Sequence, residues 1–257
     1  MKKIYFISRL SINGLILCLL LNISVSCNKL AGLPLQKNVP YNGGVLNTNS
    51  GLTTWDFIKS RGPGKGDSLF SLMYQAIIYS GIDTNLYTRP NTTYILYTDS
   101  AIIFHSSTGS VSTSSYWGYY KINKKAATSW FQYKGADSIA LQNNLLYLMV
   151  NGIHSFNNIP ITYSANNVIP LTVPFEIDTT LMPQGVNALN PNSLISFNQS
   201  DSSGNWESIY LNAFPGSKYG LSTTNTQYPG QKVATGGITT KNGVVHVVSK
   251  VLYYQHK

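Results

Sequence analysis

The segment Gly243–Tyr254 reads GVVHVVSKVLYY and is the strongest strand signal in the chain. Strand alternation puts Val244, His246 and Val248 on one face and Val245, Val247 and Ser249 on the other. Asn242-Gly243 opens it as a turn. The composition agrees with a chain built around strands. Only 11% of the 257 residues are charged, too few Glu and Lys for a coiled coil. The hydrophobic share is 43%, enough for a core and too much for a highly charged disordered chain. Tyr supplies 18 residues, and Thr, Ser, Asn and Gly fill much of the rest, as strands and turns require.

Helical signals precede most of the strands. Thr54 caps a short helix carrying Trp55 and Ile58 on one face. Ser68–Ser80 is the clearest amphipathic helix: Ser68 caps it, Leu69, Leu72, Met73, Ala76 and Ile77 share a face, and Gly81 ends it. Thr92–Thr98 reads as a strand, with Asp99 capping the next turn. Ser106–Ser115 is a Ser/Thr/Gly surface loop, and Tyr116–Tyr133 reads as an aromatic hairpin. Ser138–Val150 reads as a helix closed by Asn151-Gly152, unless Leu148–Val150 already begins a strand. From Ile159 to Tyr210 short apolar runs, among them Ile169–Phe175, Leu194–Phe197 and Trp206–Leu211, alternate with Pro, Asn and Gly as strands do. Helices first and strands last predict an α+β fold.

The first residues describe an export signal. Lys2, Lys3 and Arg9 precede a short apolar stretch interrupted by Asn13 and Asn22, too broken for a membrane span. Val25-Ser26-Cys27 resembles the lipobox of bacterial lipoproteins. That resemblance implies cleavage after residue 26, acylation of Cys27, and attachment to the membrane through lipid. Cys18 leaves with the signal, so no disulfide is expected. Residues 27–50, rich in Gly, Asn and Pro, read as a flexible tether.

Few residues suit chemistry. The positive balance, 18 Lys+Arg against 9 Asp+Glu, is thinly spread. Its densest cluster, Lys121, Lys124 and Lys125, lies among aromatics, and for an exported chain it reads as a solvated loop, with no nucleic-acid partner expected. Arg61–Asp67 (RGPGKGD) lacks the spacing of a phosphate loop. His105, His154, His246 and His256 stand at no metal-ligand spacing, and His246 reads as buried and bonded to backbone. Glu176 and Asp178 share one face of a strand, the best carboxylate pair, read here as a solvated edge. No catalytic residue, metal or cofactor is expected. Tyr116, Trp117, Tyr119, Tyr120, Trp130 and Tyr133 form either a flat binding platform for protein or glycan, or the core of their own segment.

Three segments together resemble the fasciclin (FAS1) domain: Thr93–Ile102 (TYILYTDSAI), Leu146–Gly152 (LYLMVNG) and Asn242–Leu252 (NGVVHVVSKVL). The opening Thr54–Ile58 is similar to Bacteroidetes members of that family. The resemblance implies a β-sandwich or wedge with a cluster of short helices, spanning residues 51–257, with long insertions near 105–137 and 155–205. Thr93, Thr98, Asp99, Tyr147, Asn242, Gly243 and His246 would be its structural motif residues. Tyr97 stands where the family has Pro. Leu148 stands where the family has the His of a Tyr-His pair associated with integrin adhesion, so integrin binding does not carry over. The implied role is a non-enzymatic adhesion or binding module on the cell envelope, lipid-anchored at the outer membrane, with an envelope protein or polysaccharide as ligand. The alternative is an accessory glycan-binding lipoprotein of a Bacteroidetes polysaccharide-uptake system.

Overall fold

The valine-rich segment forms β9 (Gly243–Val248), buried at all six positions. Apolar residues on both faces demand cover on both sides, which places such a strand inside a sheet. On one side it pairs in parallel with β1 (Thr92–Tyr97), from Thr92↔Gly243 to Tyr97↔Val248, and β1 is buried throughout as well. On the other side it pairs antiparallel with β8 (Thr235–Thr239). The short β2 (Met149–Asn151) completes a four-stranded sheet in the order β2-β1-β9-β8. The computed structural model describes residues 49–159, 161–163, 176–187, 190–202, 205–212 and 231–252. The export signal, Cys27, most of the tether, His256 and the Ile169–Phe175 run lie outside the described residues.

A second sheet follows the run of short apolar segments. In it β5 (Leu194–Ser202) pairs antiparallel with β6 (Asn205–Asn212) and with β4 (Glu176–Thr179), and in parallel with β3 (Ile161–Tyr163). The two-residue β7 (Gln231–Lys232) pairs with β6. Ile195, Phe197 and Gln199 alternate along β5 and are fully buried. The sheets are stitched together twice. Past β4, Thr180 bridges Val150 and the Leu181 amide donates to Met149 O at 2.8 Å. Past β7, the Val233 amide donates to Ile209 O, and the Ala234 amide to Val247 O, each at 2.8 Å.

Short helices cover the first sheet: α1 (Thr54–Ser60), α2 (Ser71–Ser80), α3 (Asp99–Ile102), α4 (Tyr116–Tyr119) and α5 (Ala136–Tyr147). The α+β class expected from the sequence is the observed one. Helix α2 lies on β1, where Met73 Sδ accepts from the Tyr97 amide at 3.1 Å. Gly81 ends it in the left-handed region (φ 69°), as expected.

Three caps differ from the sequence reading. Helix α1 is capped by Thr53, whose hydroxyl oxygen accepts from the Asp56 amide. Ser68 does not cap α2. It sits at φ 53°, its hydroxyl donates to Lys65 O, and the helix starts only at Ser71. Thr98, not Asp99, caps α3 by accepting from the Ala101 amide. Asp99 instead reaches back, and its Oδ1 accepts from the Leu72 amide at 2.8 Å. It supplies the cap that Phe70, with no side-chain acceptor, cannot give α2. Burial pushes the Asp99 carboxyl up, against the hydrogen bond from Leu72.

Candidate functional site

The motif residues singled out by the resemblance hold the scaffold together. Asn242 follows β8 in the turn to β9, and its amide faces three elements. Its Oδ1 accepts from the Thr54 amide at 2.8 Å, in the first turn of α1. Its Nδ2 donates to Tyr94 Oη at 3.0 Å, Arg89 O at 3.1 Å and Tyr87 O at 3.2 Å. Gly243 is obligatory for a different reason from a turn conformation: a Cβ there would sit 1.9 Å from Thr92 O on the paired strand. Thr93 donates its hydroxyl to Gly152 O and accepts from the His154 amide, both at 2.9 Å. Tyr147 ends α5 and donates to Leu194 O at 2.7 Å, tying that helix to the second sheet.

His246 is buried and neutral. The Gly237 amide donates to its Nδ1 (3.2 Å), so the proton sits on Nε2, which donates to His154 O at 2.8 Å. Burial pulls its pKa down to about 4. This is the backbone-bonded histidine expected from the sequence.

The aromatic segment is a local core and not a platform. Tyr116, Trp117, Tyr120, Trp130 and Tyr133 are each 6% exposed or less, and Tyr119 is half-buried. Tyr116 touches three of these rings, with centroids 4.6 Å from Tyr120, 5.4 Å from Trp130 and 5.9 Å from Tyr133. The expected hairpin is reduced to one bridge, Ile122↔Lys125, around Asn123 and Lys124, both at positive φ. Hydrogen bonds pull the rings inward: Trp130 Nε1 donates to Leu72 O and Tyr133 Oη to Tyr120 O. Burial pushes the Tyr133 hydroxyl up beyond the range of an exposed phenol. What remains outside is Phe131, 73% exposed and held edge-on against Tyr79, together with the exposed Lys121, Lys124, Lys125 and Lys134 of the same segment.

The structure gathers one cluster that the sequence reading did not assemble. His154, 2% exposed, stacks on Phe197 of β5 with ring centroids 4.3 Å apart and planes at 9°. Its Nε2 donates to Asn151 O at 2.9 Å, with Asp178 Oδ2 at 3.5 Å. Glu176 Oε1 lies 3.0 Å from its Nδ1, at ion-pair distance but off the line of a good hydrogen bond. Glu176 and Asp178 do share a strand face, as their spacing required, but that face meets a buried imidazole rather than only solvent. The carboxylates keep about a third of their exposure, whereas the imidazole between them is closed off. This arrangement suits a clip between β4 and the loop after β2, since the imidazole cannot reach a bound molecule. Gly152, at φ 85°, leaves the room that both Asp178 and His154 need. Nothing local marked His154, because its partners come from another sheet.

Among the described residues no group of His, Cys, Asp and Glu is placed to hold a metal ion. No helix among them is long and apolar enough to cross a membrane. No family model and no curated protein matches the chain. A solved structure of a FAS1 domain pair, from the insect cell adhesion molecule fasciclin I, aligns with 70% of this chain at 13% identity and a TM-score of 0.39. The aligned part spans 43% of that structure's length.

Proposed function

We propose that this chain is a fasciclin-type binding module of the cell envelope, anchored by lipid on Cys27 and working by adhesion rather than catalysis. In this reading residues 27–50 are the tether, and residues 51–257 form one domain with insertions near 105–137 and 155–205. One observation carries it. Two of the segments on which the resemblance rests, far apart in sequence, lie side by side as β1 and β9, in register over six residue pairs. The residues they contribute are spent on the scaffold: Asn242 on three elements, Asp99 on the cap of α2, Thr93 on the His154 loop. A scaffold so organised offers its outer loops for contact. The accessory glycan-uptake alternative rests on the resemblance to Bacteroidetes relatives, and Trp117 and Trp130, which would have served it as a platform, are inside.

The test has two arms. Cells expressing the full chain are labelled with radioactive palmitate and fractionated, beside a Cys27→Ser variant. Label in the membrane fraction of the wild type alone supports the anchor, and unlabelled wild type removes it. Separately, beads coated with the full chain are mixed with envelope preparations. Saturable capture supports the binding role, and turnover of an envelope polymer by the purified chain would replace it with an enzyme.

A further inference from the structure

The exposed rim of the aromatic segment carries positive charge and no acid. Between Asp99 and Asp137 the sequence contains no acid and four lysines: Lys121, Lys124, Lys125 and Lys134. All four are exposed. Two basic residues elsewhere sit against acids, Lys59 with Asp56 at 2.8 Å and Arg61 with Asp67. Lys124, Lys125 and Lys134 have no carboxylate at ion-pair distance among the described residues.

The lysines are brought together by the core beneath them. Tyr133 donates to Tyr120 O, so the chain bearing Lys134 is fastened to the residue that precedes Lys121. The Ile122–Lys125 bridge then turns Lys124 and Lys125 outward at the same place. Phe131 belongs to the same unit. Its ring meets Tyr79 edge to face at 5.2 Å, and Tyr79 is itself pinned by donating to Tyr133 O at 2.8 Å. A large apolar ring is therefore fixed in position while 73% exposed, in the same segment as the exposed Lys124, Lys125 and Lys134.

The direction of this rim matters as well. The described chain enters at Asn49, which bridges Thr239, level with the beginning of β1. The aromatic segment sits past the other end of β1, where the Val251 amide donates to Ser114 O and Leu72 O accepts from Trp130. Six residues of strand separate the two ends by roughly 20 Å. The rim and the point where the described chain enters therefore lie at opposite ends of the first sheet.

We infer that this rim binds an acidic polysaccharide, the sugar rings packing their C–H faces on Phe131 and the carboxylates meeting Lys121, Lys124, Lys125 and Lys134. Charge complementarity selects a polyanion, and the fixed exposed ring selects one that carries apolar ring faces. The inference rests on the proposed binding-module role and names the chemistry of its ligand.

The full chain in detergent is run through affinity gels containing polygalacturonate, dextran or polyglutamate, and in parallel over anionic phosphatidylglycerol vesicles. Retardation by polygalacturonate that weakens with salt is expected, with little by dextran. Lys124→Glu/Lys125→Glu is expected to cut apparent affinity at least tenfold, and Phe131→Ser several-fold. Lys241→Glu, a surface charge reversal at the far end of the strands, is expected to leave it unchanged. Equal retention by polyglutamate with no effect of Phe131→Ser would overturn the sugar in favour of an acidic polypeptide. Preferential binding to vesicles would overturn it in favour of lipid. No retention on polygalacturonate, with palmitate labelling and bead capture intact, would remove this ligand and leave the binding-module reading standing.

Discussion

Replacing Asn242 by Ala should be among the most damaging single changes on this surface, and its cost can be worked from the contacts. The Thr54 amide lies in the first turn of α1 and has Asn242 Oδ1 as its acceptor at 2.8 Å. Losing it orphans a partly buried donor, a cost of about 1–3 kcal/mol. Tyr87 O loses a donor as well, while Arg89 O keeps the Tyr94 hydroxyl at 2.8 Å and suffers less. The total comes to about 2–4 kcal/mol. For a domain of this size that corresponds to roughly 5–15 °C in Tm. Urea unfolding followed by tryptophan fluorescence should show a lower midpoint at unchanged slope. Asn242→Asp makes the reasoning stricter. It keeps the acceptor for Thr54 but points an oxygen at three oxygens, so at neutral pH it should be no better than Ala. A loss below about 1 kcal/mol for Ala, or an Asp variant as stable as wild type, would show that the turn is held by something other than this amide.

Gly243→Ala should cost more than a helix-interior Gly-to-Ala exchange ever gains, since its Cβ would fall 1.9 Å from a backbone oxygen that cannot move without parting β1 from β9; loss of soluble expression or a large fall in urea midpoint checks it. Trp130→Ala should destabilise by about 3–5 kcal/mol, by cavity and by the lost bond to Leu72 O, as read from the same urea curves. His246 is held neutral in the fold with its pKa lowered to about 4, so the unfolded chain binds its proton first on acidification. Its contribution is complete above about pH 6.5 and is lost as pH falls towards 4, so the wild-type minus His246→Gln difference in unfolding free energy should shrink across that window and stay flat above it.

What the sequence made legible follows the range of the forces involved. The strand at Gly243–Val248 was readable because apolar residues on both faces leave a strand no other place, and the Ser71–Ser80 helix because its apolar face recurs at helical spacing. The glycine after Asn242 was marked for the right position and the wrong cause. A turn conformation would need a positive φ, which Gly243 does not have; what it needs is the absence of a Cβ facing Thr92 O. The caps slipped for a related reason. Thr98 and Asp99 are both good local caps, and only the placement of α2 against that corner decides that Thr98 serves its own helix while Asp99 serves another. The aromatic segment was undecidable from composition, since the same rings make a platform or a core depending on whether Leu72 and Tyr120 offer carbonyls to Trp130 and Tyr133. His154 was invisible for the same reason in stronger form: its stack, its carboxylates and its backbone bonds come from β5, β4, β1 and β9, and no spacing along the chain encodes a meeting between sheets. The residues that distinguish this chain from a bare scaffold, the lysines and Phe131 left outside the aromatic core, are therefore those whose exposure only the fold could reveal.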